Sequence, residues 1–253
     1  MFSTEQYKSR LNTKFLGHSI IYKFETQSTN IDAWDNIGLG CDEGTLIITE
    51  KQLFGRGRRQ NRWISSDGNS LTFSFILFPK NNLNQIGLLP LLTGVSIVKG
   101  ILESSHIEVK LKWPNDIMIN HRKIGGILIE TKTSPTGLMV VIGIGININE
   151  KQEEFPISIK NTATSLKAYA NEIFNRENIL AEILNSFENL YTNKWKDVIS
   201  MWRSYCIHNN TTVCFNTEEG KFQGIFKDIT KDGHAELIIN NKIKIFTSGM
   251  VIT

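Results

Sequence analysis

Cysteine is scarce. Cys41, Cys206 and Cys214 are an odd number in 253 residues and show no CxxC spacing. That argues against a disulfide framework or a zinc site, and it suits a reducing cytosol. The five histidines are scattered without ligand spacing, so no tightly bound transition metal is expected. There is no Walker A pattern, and Gly143-Ile144-Gly145 lacks the third glycine of a dinucleotide fingerprint. No Ser-His-Asp or Cys-His arrangement suggests itself. The longest apolar stretch, Leu88 to Leu102, is broken by Pro90 and Lys99 and is too short to span a bilayer. Met1 to Glu5 carry no basic segment leading into an apolar one, so no signal peptide is expected and a cytoplasmic location is the default. Large net charge is missing too. At +3 the chain does not resemble a protein living on nucleic acid, and basic charge must be local.

What is there begins with Gly55-Arg56-Gly57-Arg58-Arg59-Gln60-Asn61-Arg62-Trp63, four arginines, two glycines and a tryptophan in nine residues. Arginines this close repel one another. Guanidinium groups pair bidentately with carboxylates and phosphates, and glycine lets backbone approach a ligand. The segment reads as a loop that orders around an anion. On charge alone, a solvated basic loop or a nucleic-acid patch fits as well.

The rest of the chain predicts an α+β fold, with a largely antiparallel sheet and helices in separate blocks. Strands are expected over 20–24, 45–49, 109–113, 117–119, 124–130 and 138–149, and a half-buried alternating strand over 70–78. Residues 1–17 read as a short helix or arm. Ser28-Thr29-Asn30 look like N-cap residues for a helix over 31–37, and residues 86–104 form a second helix. Helical apolar spacing runs from Ile179 to Trp202. From His208 onward short strands at 212–215, 221–229, 235–239 and 242–246 alternate with turns. A small β-barrel is therefore expected over 208–253, appended to a main domain over 1–207. Four polar stations interrupt the apolar strands: Arg56 with Arg58, Lys112 with Asn115-Asp116, Lys123 with Gly125-Gly126, and Asn147. Cations beside paired glycines suit a pocket that holds anions.

These stations match a family. Gly55-Arg56-Gly57-Arg58-Arg59, Lys112-Trp113-Pro114-Asn115-Asp116, Lys123-Ile124-Gly125-Gly126-Ile127-Leu128-Ile129-Glu130 and Gly143-Ile144-Gly145-Ile146-Asn147 resemble, in order and spacing, the signatures of biotin–protein ligases. The resemblance covers residues 20 to 253. It implies a catalytic fold like that of class II aminoacyl-tRNA synthetases, with a small SH3-like C-terminal barrel. It also implies a two-step reaction, in which ATP activates biotin as biotinyl-5′-AMP and a lysine of a biotin carboxyl carrier protein then accepts the biotin. Mg2+ would accompany the ATP. The winged-helix domain that precedes the ligase in some relatives has no room here, so no DNA-binding role is expected. Some relatives dimerise, and exposed sheet edges would allow a homodimer.

By position, the resemblance places Ser28, Thr29, Asn30 and Gln52 on the biotin ureido ring or its slot. Arg56, Gly57 and Arg58 would wrap the acyl-phosphate region, with Trp63 stacked on adenine or anchoring the loop's end. Lys112, Asn115 and Asp116 would act at the nucleotide, in acyl transfer or in binding Mg2+. Lys123 would contact the biotin carboxyl and the phosphate, Gly126 would let backbone approach the ligand, and Asn147 would serve the nucleotide or its metal. Gln60 stands where the family usually has glycine, Phe54 where a small residue is usual, and Met250 where many relatives have an acid; the chain also ends without their arginine. A lipoate- or octanoate-transferring enzyme shares the fold and is the nearest alternative, and a non-catalytic biotin or nucleotide sensor is another.

Overall fold

The computed structural model describes residues 1–80, 83–135, 137–217 and 220–252. Turns expected at 134–137 and 216–220 run partly outside that set. The chain order begins with α1 (Thr4–Arg10), β1 (Ile20–Thr26), α2 (Thr29–Gly38), β2 (Leu46–Gln52), β3 (Ser70–Leu77) and α3 (Leu89–Ser105). Next come β4 (Lys110–Lys112), β5 (Asp116–Ile119), β6 (Arg122–Ser134) and β7 (Gly137–Asn147). Helices α4 (Leu166–Ala170), α5 (Arg176–Asn193) and α6 (Val198–Tyr205) follow. The chain closes with β8 (Thr212–Thr217), β9 (Gly220–Ile229), β10 (Ala235–Ile239), β11 (Lys242–Phe246) and β12 (Met250–Ile252).

Seven strands form one sheet in the order β1-β2-β3-β7-β6-β5-β4. Among the described residues, β1 and β2 pair in parallel and the other strand pairs of this sheet are antiparallel. The β5–β6 hairpin turns on Asn120 and His121, both left-handed with φ 44° and 61°, the pairing a tight two-residue turn needs. Helices α3 and α5 cover one face of the sheet. Gly100 of α3 lies where an added Cβ would fall 2.5 Å from the Ile183 nitrogen of α5, so glycine sets how closely these helices approach. Residues Gln85–Ser105 are apolar and long enough to cross a membrane by composition, yet they form a core helix: Leu92, Val95, Ile97 and Ile101 are wholly buried.

The alternating β3 was expected to be half-buried, but all eight of its residues are buried. It is a central strand between β2 and β7. Leu71, Phe73 and Phe75 feed the core, while Ser70, Thr72 and Ser74 share the opposite side. The helical stretch expected from 179 to 202 is broken at Lys194, where α5 ends and a 3-10 turn leads into α6.

The C-terminal hairpins form a five-stranded antiparallel sheet in the order β11-β10-β9-β8-β12; the short β12 was not anticipated. This sheet shares the main hydrophobic core. Trp113 is the joint: its ring lies 5.4 Å from that of Phe215, and its Nε1 donates to the Gly233 carbonyl at 3.0 Å. The main sheet and the C-terminal sheet meet beside the arginine loop.

Candidate active site

One open cleft lies at this junction. Its lining gathers nearly every residue singled out from the sequence: Ser28, Thr29, Asn30, Gln52, Arg56, Gly57, Arg58, Trp63, Asn115, Asp116, Lys123 and Gly126. Lys112 and Asn147 do not line it. Lys112 sits one strand away, opposite Asp116 in the β4–β5 register. Asn147 is buried and donates through Nδ2 to the Thr164 carbonyl at 3.0 Å, so it braces the 147–164 connection.

The first end of the cleft is an uncharged slot at the start of α2. Ser28 is its N-cap but makes no side-chain capping bond, so its hydroxyl is not spent on the helix. The carbonyl oxygen of Gln52 accepts from the Thr29 backbone N–H at 2.7 Å and from the Thr29 hydroxyl at 3.2 Å. The Ser74 hydroxyl lies 2.7 Å from both Thr29 Oγ1 and Asn30 Oδ1. The alternate glycines of β7 make two seats. A Cβ at Gly143 would fall 2.1 Å from Asn30 Oδ1, and one at Gly145 would fall 2.3 Å from Cε2 of Trp63. The Gly-x-Gly thus leaves room for Asn30 and Trp63 to approach the strand backbone. Two polar atoms here, Trp63 Nε1 and Thr72 Oγ1, are buried without a hydrogen-bond partner. Such atoms are costly unless a ligand meets them.

The second end is cationic. The arginine segment folds as a narrow hairpin, with Trp63 N–H donating to Gly55 O at 2.9 Å, Gly57 N–H to Asn61 O at 2.7 Å, and an Arg56–Arg62 bridge. Its left-handed residue is Arg59, with φ 53°. Arg58 reaches Asn115 Oδ1 at 3.4 Å and the Gly249 carbonyl at 3.5 Å, tying the loop to both sheets. Burial and the neighbouring Arg59 push its guanidinium below the ordinary value, while Asp116 pulls the other way. Asp116 Oδ1 pairs with Lys123 Nζ at 2.5 Å. A Cβ at Gly126 would fall 3.3 Å from that ammonium, so the glycine makes room for Lys123 as much as for a ligand. Burial holds the Lys112 ammonium below its usual pKa; Asp116 opposes the shift and Lys123 adds to it. Arg58, Lys112 and Lys123 thus surround one carboxylate, leaving surplus positive charge where an anion would sit.

Sequence reasoning missed Ser74, Thr72, Glu130 and the seating role of Gly143 and Gly145. The polar alternation of β3 and the glycine spacing of β7 were the available signals, and both point inward only once the strands are known to be central.

A model of the biotin/lipoate A/B protein ligase family matches residues 24–147. The chain is 36% identical over 247 residues to the bifunctional ligase/repressor BirA of Bacillus subtilis, covering 96% of this chain and 76% of that protein. The solved biotin protein ligase from Aquifex aeolicus in complex with biotin and ATP superposes with a TM-score of 0.79 at 28% identity, over 93% of this chain and 98% of that one. The chain belongs to the biotin/lipoate protein ligase family. Relatives it resembles within that family also include the biotin–protein ligase of Homo sapiens, 27% identical over 87% of this chain and 32% of that protein.

Proposed function

We propose that this chain is an ATP-dependent biotin–protein ligase. In the first step a biotin carboxylate oxygen attacks the α-phosphorus of ATP, forming biotinyl-5′-AMP and releasing pyrophosphate. In the second, the ε-amine of a lysine on a biotin carboxyl carrier protein attacks the acyl carbon, forming an amide and releasing AMP. No enzyme nucleophile is needed, so the protein contributes position and electrostatics. The observation that carries this reading is that a neutral polar slot and a surplus of cations share one cavity. The slot suits a ureido ring, and the cations suit a carboxylate meeting a triphosphate.

Ser28, Thr29, Asn30 and Gln52 would hold the ring, with Thr72 as a further hydrogen-bond group. Arg56, Arg58 and Lys123 would offset the repulsion between carboxylate and phosphate, with Gly57 letting the loop backbone close in. Trp63 would wall the middle of the cleft. Lys112 and Asn115 would steady the nucleotide end, Lys112 acting from behind Asp116. Mg2+ would arrive on the phosphates, which it would neutralise, with Asp116 as its protein ligand; a lone carboxylate fits an ion held mainly by substrate. Asn147 would act at a distance, bracing the connection that hydrogen-bonds Lys123 through Thr162 and Thr164. The compartment would be the cytoplasm, consistent with three free thiols.

The test is pyrophosphate exchange into ATP, measured with and without biotin, followed by labelling of a carrier domain with either biotin or lipoate. Biotin-dependent exchange and biotin labelling are the expected result. Labelling by lipoate alone would overturn the assignment.

A further inference from the structure

Glu130 does not line the cleft, and the reaction chemistry has no use for it. Its neighbours are nevertheless unusual. The carboxylate takes donors from two separate parts of the site. Asn30 Nδ2 reaches Oε2 at 2.9 Å and Trp34 Nε1 reaches it at 3.2 Å, both from α2. Arg56 Nη2, from the arginine hairpin, lies 3.4 Å from Oε2 and 3.3 Å from Oε1. Lys132, two residues along the same face of β6, sits over the Trp34 ring at 4.2 Å, so helix and strand are clamped at this point.

Two consequences follow from the chemistry. A carboxylate only accepts, so it must meet the amide nitrogen of Asn30 and not the oxygen. Oδ1 is thereby turned toward Ser74 and the Gly143 seat. The hydrogen-bonding character of the slot is thus fixed by a residue outside it. Second, Glu130 is the carboxylate that ion-pairs with the arginine hairpin among the described residues. It offsets part of the mutual repulsion of Arg56, Arg58, Arg59 and Arg62.

We infer that Glu130 is a positioning residue that links the two ends of the site, fixing the Asn30 amide in the slot and holding the Arg56 strand of the hairpin above it. This rests on the ligase reading for its kinetic arm only. The slot and the hairpin are then not independent: disturbing one through Glu130 disturbs the other.

The test uses Glu130→Gln in the full chain. The amide keeps the side chain's shape but loses the charge, and its nitrogen cannot accept from Arg56 Nη2 as carboxylate Oε1 does. Two measurements are made. Limited trypsin digestion, followed by mass spectrometry of cuts after Arg56, Arg58, Arg59 and Arg62, reads the hairpin directly and needs no activity. The variant is expected to be cut about fivefold faster there, with cuts elsewhere unchanged, because local opening governs cleavage. Biotin-dependent pyrophosphate exchange is expected to show a biotin KM raised about tenfold, as for a lost charge-assisted contact, with the ATP KM within about twofold of the parent. Parent-like cutting together with a parent-like biotin KM would overturn the inference. So would a uniform rise in both KM values with faster cutting throughout the chain, since that marks general loosening. If the parent shows no biotin-dependent exchange, the ligase reading fails while the digestion still decides whether Glu130 holds the hairpin.

Discussion

The two ends of the cleft are built on opposite plans. The slot is largely wired in advance: Thr29, Asn30, Gln52 and Ser74, with Glu130 behind them, bond one another, and the buried Thr72 hydroxyl and Trp63 N–H are left for a ligand. The cationic end is left unbalanced, with Arg58, Lys112 and Lys123 around the single carboxylate of Asp116. A different ion pair shows what balance looks like in this fold. Glu50 is 2% exposed, and burial alone would push its carboxyl up. Arg176 at 2.8 Å, the Phe2 N–H and the Tyr22 hydroxyl more than offset that and leave it below the ordinary value. That pair ties the N-terminal arm and α5 to β2 and has nothing left over for chemistry. A network wired in advance recognises shape at low reorganisation cost; a cluster with a surplus of one charge is where transition-state charge of the other sign can be stabilised.

If the two plans are real, substitutions should separate kinetically. The largest effect is expected from Arg58→Ala, which removes a half-buried cation from the transfer end. Adenylate formation should fall by about 10²- to 10³-fold with little change in biotin KM, measured by pyrophosphate exchange at saturating biotin. The adenylate should also leak, detected as biotinyl-5′-AMP free in solution. Parent-like rates and retention would remove the cationic end from the mechanism. The next largest is Gly143→Ala, whose new Cβ would collide with Asn30 Oδ1. Asn30 is pinned by Glu130 and Ser74, so it cannot yield without leaving its seat. A rise in biotin KM of about tenfold with kcat nearly kept is expected. If kcat fell and KM held, the division of labour between the ends would be wrong.

The fold was largely legible because its signals are local. Alternation in strands, the Asn120-His121 turn and the apolar face of α5 each sit within a few residues. The cationic end was legible for the same reason, since Arg58, Asp116 and Lys123 lie in compact motifs. The wiring of the slot was not. Glu130 meets Asn30 across 100 residues and Ser74 meets Asn30 across 44, and only the strand order β2-β3-β7-β6 brings them together. Asn147 shows the converse. Its motif drew attention to it as a ligand contact, whereas its side chain turns to the Thr164 carbonyl, a partner 17 residues on. The polar face of β3 read as solvent-facing because periodicity reports alternation and not what lies over each side.

The smallest expected effect concerns Glu150, a buried carboxyl that does not line the cleft. Glu150 is 1% exposed; its Oε1 accepts from the Ser70 hydroxyl at 2.5 Å while Oε2 has no partner. Burial pushes its carboxyl up to about 7, against the pull of Ser70 and nearby backbone. The folded state then holds a proton that the unfolded chain releases near pH 4.5. Stability from this group is full below about pH 4.5, declines as pH rises toward 7, and is lost above it. The span corresponds to at most about 3–4 kcal/mol. Glu150→Gln mimics the protonated form, so its melting temperature should fall less than the parent's between pH 5 and 8, and at pH 8 it should melt a few degrees higher. Equal pH slopes for the two proteins would mean that Glu150 is ionised at neutral pH, three residues beyond Asn147.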